Sequence, residues 1–105
     1  MARSYEGLVS WITGAGSGIG KALAIELASR GSIVAISGRR ASNLEEVARE
    51  IESKGGRALA VPCDVTEEAE LARAVERIVS ELGKLDVVIA NAGFSGGERH
   101  RRFLL

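Results

Sequence analysis

The chain has 105 residues, 46% of them hydrophobic and 27% charged, which suits one globular domain and leaves no room for a second full one. Lysine plus arginine equals aspartate plus glutamate at 14 each, so no net field recommends nucleic acid or a membrane surface as a partner. A lone cysteine, Cys63, and a distant lone histidine, His100, exclude an internal disulfide and a zinc ligand set, and no apolar run approaches the roughly 18 residues of a membrane span. The opening "MARSYEG" has no apolar signal core, and the cytoplasm is the expected compartment.

The first element is the apolar, β-prone run "LVSWIT", Leu8 to Thr13, a buried strand by its shortness and the glycine that follows. "GAGSG" leads into a helix over Gly18 to Arg30, where Ile19, Ala22, Leu23, Ala24, Ile25, Leu27 and Ala28 make most of the circumference apolar, as on a helix packed against a sheet. Gly31 is its stop. "SIVAIS", Ser32 to Ser37, is a second buried strand. The next helix opens with a capping box of Ser42 and Glu45, and Leu44, Val47, Ala48 and Ile51 recur at i, i+3, i+4 and i+7 as one apolar stripe ending at Gly55 and Gly56.

A third strand over Ala58 to Val61 is closed by Pro62, which cannot donate to a continuing ladder. Thr66 is the expected cap of a third helix with Glu67 and Glu68 in its positive first turn, and Leu71, Val75, Ile78, Val79 and Leu82 are its expected buried stripe, up to Gly83. "DVVIA", Asp86 to Ala90, is the fourth strand and "NAGFSGG" a glycine-rich loop. Alternation of near-continuous apolar strands with helices predicts an α/β fold, a parallel sheet built by crossovers. Residues 1–97 form the expected domain and 98–105 a tail.

A strand that ends in a glycine turn and runs into a helix presents free N–H groups and the helix's positive end at one point, a natural seat for a pyrophosphate. The turn does not follow G-x-G-x-x-G, since Ile19 and Lys21 fall where the last glycine belongs. It reads T-G-x-x-x-G-x-G through Thr13, Gly14, Gly18 and Gly20. With the basic pair Arg39-Arg40 after strand two, Cys63-Asp64-Val65 after strand three and Asn91-Ala92-Gly93 after strand four, the pattern resembles the short-chain dehydrogenase/reductase family over about residues 7 to 94.

That resemblance implies a Rossmann-type sheet of four strands in the order 3-2-1-4, helices on both faces, truncated relative to the full family fold. It implies that Gly14, Ser17, Gly18, Ile19 and Gly20 line a pyrophosphate and that Thr13 braces the turn against Asn91. Asp64 and Val65 would hold the adenine, and Asn91, Ala92 and Gly93 would lie beside the ribose. Taken singly, Asp64 also reads as a solvated carboxylate or a helix cap, and Asn91 as a strand-end turn residue.

Gly38 stands where the family's NAD-selecting aspartate would be, and Arg39 follows it. An arginine there accommodates a 2′-phosphate, so the expectation is NADP(H) over NAD(H), with Arg39 the main contact and Ser37 and Arg40 supporting; solvated surface arginines are the alternative. The family's catalytic Y-x-x-x-K is absent, because Tyr5 is the single tyrosine and Val9 lies four residues on. No catalytic residue and no metal ligand is therefore assigned.

The expected function is the cofactor-binding part of an oxidoreductase that passes hydride between NADP(H) and a carbonyl or alcohol. A non-catalytic nucleotide-binding or regulatory module and an inactive truncated product are the alternatives. An open edge on strand four would invite self-association or pairing with a missing C-terminal half. The tail "ERHRRFLL" departs from the family pattern and is compatible with a truncated helix, a shifted reading frame, a contact segment or disorder.

Overall fold

The computed structural model describes residues 4–91. Along the chain these form β1 (Val9–Thr13), α1 (Gly18–Ser29), β2 (Ile33–Ser37), α2 (Ala41–Ser53), β3 (Arg57–Ala60), α3 (Glu68–Leu82) and β4 (Val87–Ile89). The strands make one parallel sheet in the order β3-β2-β1-β4, as the family resemblance implied. Among the described residues no helix is long and apolar enough to cross a membrane.

Period-2 geometry sends alternate residues of each strand to opposite faces, and both faces here are apolar, so each collects its own helices. On one side Ile12, Val34 and Ile36 pack with Ala24, Leu27 and Ala28 of α1 and with Leu44, Val47 and Ile51 of α2. On the other, Val9, Trp11, Ala35, Val61 and Val88 pack with Ala74 and Ile78 of α3. Fully burying one such aliphatic side chain contributes about 1.5–3 kcal/mol, which is why near-continuous apolar strands hold the centre.

Four local expectations are corrected. α2 begins at Ala41 with Arg40 at its N-cap, so Ser42 already lies inside the first turn and cannot cap it. β3 lies one residue earlier than expected, pairing Arg57 to Ala60 with Ile33 to Ile36. Glu67, not Thr66, is the N-cap of α3, because the Thr66 N–H and hydroxyl both donate to Asp64 Oδ1, at 3.0 and 2.6 Å. Val75 and Val79 stay 37% and 43% exposed, since Leu71, Ala74, Ile78 and Leu82 already fill the arc of α3 that meets the sheet.

Candidate functional site

The C-terminal ends of the parallel strands, where open α/β sheets bind their ligands, are tied together by backbone and side-chain hydrogen bonds. Ala15 N–H donates to the Ser37 carbonyl at 3.0 Å and Cys63 N–H to the Gly38 carbonyl at 2.9 Å. Asn91 N–H donates to Thr13 Oγ1 at 2.9 Å, so the β1 threonine holds the end of β4 beside the glycine turn. Glycine turn, β2 end, post-β3 segment and post-β4 residue thus form one rim.

Within the turn, Gly14 and Gly18 have φ of 64° and 61°, the left-handed region that a side chain disfavours. Gly20 does a different job: a Cβ there would overlap the Gly14 carbonyl oxygen and lie 2.7 Å from Asn91 Nδ2. The first turn of α1 can therefore sit against the loop only without a side chain. Ser17, the N-cap, makes no side-chain cap bond, and no acidic residue occupies the first turn. The positive helix end consequently keeps free N–H donors, beside the exposed Ser17, Gly18 and Ile19, which is a fit for a phosphate group.

Around the rim the other expected residues divide. Arg39 is 76% exposed, with its Nε 4.0 Å from Asp64 Oδ1. Arg40 is exposed at the start of α2. Asp64 is fixed from two sides, its carboxylate accepting from Thr66 and its N–H donating to Glu70 Oε1 at 2.8 Å. The Thr66 hydroxyl, then the Thr66 N–H, hold the Asp64 carboxyl below the usual carboxylate range, with Arg39 adding to it. Val65 is half-buried against the α3-side core. Ala92 and Gly93 lie outside the described residues.

Ser37 is a correction. Its side chain is fully buried, its hydroxyl donating to the Val61 carbonyl at 2.7 Å and accepting from Trp11 Nε1 at 2.8 Å. It faces the sheet interior, because its place in β2 sends it to the same face as Ala35, and it is not positioned to contact a phosphate. Among the described residues no cluster could hold a metal ion, and burial pushes the Cys63 thiol up from its ordinary range.

Two residues were missed in the sequence. Thr66, read as a helix cap, orders the Asp64 carboxylate; the Asp-x-Thr spacing of an Asx turn was the available signal. Glu70 orders the Asp64 backbone, and only the return of α3 to that loop reveals it.

A family model described as short chain dehydrogenase matches residues 9–104. The chain belongs to this family. In the short-chain dehydrogenases the part spanned here is the dinucleotide-binding Rossmann portion of an oxidoreductase fold. A 7alpha-hydroxysteroid dehydrogenase of Escherichia coli K12 is 43% identical over 91 residues, 87% of this chain and 36% of the relative. The structure of a 7alpha-hydroxysteroid dehydrogenase complexed with NADH and 7-oxo glycochenodeoxycholic acid superposes with a TM-score of 0.84 at 42% identity, covering 86% of this chain and 35% of that one. A metagenomic short-chain oxidoreductase in complex with NADP gives 0.83 at 36% identity, covering 87% and 41%. The chain spans about a third of the length of the curated relatives it matches, with 36% and 34% of two of them covered.

Proposed function

We propose that this chain holds NADP(H) in preference to NAD(H), as the cofactor-binding part of an oxidoreductase acting on a carbonyl or alcohol. Gly14, Ser17, Gly18, Ile19 and Gly20 receive the pyrophosphate, Asp64 and Val65 the adenine, Asn91 the ribose, and Arg39 with Arg40 the 2′-phosphate. When bound, the nicotinamide would supply or accept the hydride. The residues of this chain bind and orient, for the Y-x-x-x-K pair is not among the 105. We expect the chain alone to bind cofactor without turnover. Its thiol-poor composition accords with the cytoplasm, and the edge of β4, without a further strand among the described residues, with pairing to a second copy or to a C-terminal half.

The observation that carries the NADP(H) preference is the end of β2. Gly38 needs no left-handed backbone, and a Cβ there would make only an ordinary 3.5 Å contact with Leu44 Cδ2. The backbone at position 38 therefore accepts the Cβ of a residue other than glycine, yet this chain carries no carboxylate there and an arginine next to it. A dianionic phosphate is then attracted instead of repelled.

Titration of the purified chain with NADPH and NADH, followed by nicotinamide fluorescence, tests the reading. NADPH should bind at least tenfold more tightly, and Gly38→Asp combined with Arg39→Ile should reverse the order. No binding of either at millimolar concentration, or equal affinity, overturns it.

A further inference from the structure

One polar side chain at the same rim has no other task. Asn43 is the third residue of α2, half-buried, and among the described residues its amide has no hydrogen-bond partner. It lies alongside the glycine turn: a Cβ built on Gly16 would be 3.3 Å from Asn43 Cβ and 3.8 Å from Asn43 Nδ2. Gly16 is in turn the neighbour of Gly38, whose added Cβ would lie 4.0 Å from Gly16 N. Turn, β2 end and first turn of α2 therefore meet at one corner, with Gly16 at its vertex, Gly38 on one side and Asn43 on the other.

The charges in that corner decide how the amide would be used. No acidic residue occupies the first turn of α2, and its N-cap, Arg40, makes no side-chain cap bond. The N-terminus of α2 opens beside the corner, and the exposed Arg39 and Arg40 follow Gly38 in the chain, Arg39 offset in part by Asp64 at 4.0 Å, so an anionic group is favoured there and would meet the NH2 of the amide. Arg39 is long and 76% exposed, a charge with little directional constraint. Asn43 is short and held by helix and turn, so it can discriminate by position.

We propose that Asn43 is a further specificity-determining residue, donating from Nδ2 to the 2′-phosphate of the adenosine ribose. This rests on the reading that the chain binds a dinucleotide, and the experiment separates the two. The full chain and its variants are titrated with NADPH, NADH, 2′,5′-ADP and 5′-AMP. Asn43→Ala should weaken NADPH and 2′,5′-ADP about ten- to a hundredfold, the loss of one hydrogen bond to a charged group, and leave NADH and 5′-AMP within about twofold.

Asn43→Asp is the sharper variant. A carboxylate in the first turn favours the helix, so thermal melting should show α2 intact or firmer while NADPH affinity falls about tenfold or more. Equal losses for phosphorylated and unphosphorylated ligands, or no loss in either variant, would reduce Asn43 to a packing residue and overturn the proposal. If the unmodified chain binds none of the four ligands, the dinucleotide reading falls and the proposal falls with it.

Discussion

At the scale of single residues, the site separates groups that face outward from groups that hold them in place. Ser37 belongs to the second kind, since its hydroxyl joins Trp11 Nε1 to the Val61 carbonyl inside the sheet. Ser37→Ala would leave a buried indole N–H without an acceptor, and denaturant unfolding should show a loss of about 1–3 kcal/mol. The NADPH-to-NADH affinity ratio should not move, because the hydroxyl does not reach the ligand side. Gly20→Ala should be worse than either measurement suggests for an ordinary helix glycine: its Cβ overlaps the Gly14 carbonyl oxygen, and backbone cannot swing aside as a side chain does. The expected reading is a lowered melting temperature together with loss of cofactor binding.

At the scale of elements, the two faces of the sheet are served unequally. α1 and α2 share one face, whereas α3 alone among the described residues covers the other. Sequence periodicity marked five apolar positions on α3, and packing used Ile78 and left Val75 and Val79 substantially exposed. Ile78→Ala should cost about 2–5 kcal/mol in denaturant unfolding, the lost transfer energy plus a cavity. Val79→Ala should stay within about 0.5 kcal/mol, as surface substitutions do. Similar costs at both positions would mean that α3 turns Val79 as well as Ile78 toward the sheet.

For the whole molecule, Asp86 links the N-terminal ends of two strands. Its Oδ2 accepts from Val9 N–H at 2.8 Å and pairs with Lys84 Nζ at 3.2 Å, and the Val9 hydrogen bond, with Lys84 adding, holds its carboxyl below the usual range. A carboxyl whose folded pKa is depressed stabilises the fold above its unfolded value of about 3.9, and that stability is lost as pH falls through the folded value. Asp64 has the same sign. Denaturation midpoints measured between about pH 6 and pH 2 should therefore fall with pH, and less steeply in Asp86→Asn. An unchanged slope would remove Asp86 from the acid response.

Legibility followed the range of the interactions. The four strands, three helices, sheet order and glycine stops could be read because apolar periodicity, chain punctuation and the family motif are written in consecutive residues, and short-range sterics enforce them. The start of α3 departs from the sequence reading because Asp64 takes both the N–H and the hydroxyl of Thr66, and the start of α2 because the helix begins one residue before Ser42. What the sequence determined alone was the glycine turn, the missing carboxylate at Gly38 and the arginine after it. Only the tertiary structure decided that Ser37 turns inward and that Asn43 lies against Gly16, for strand pleat and the packing of α2 on the sheet set those directions.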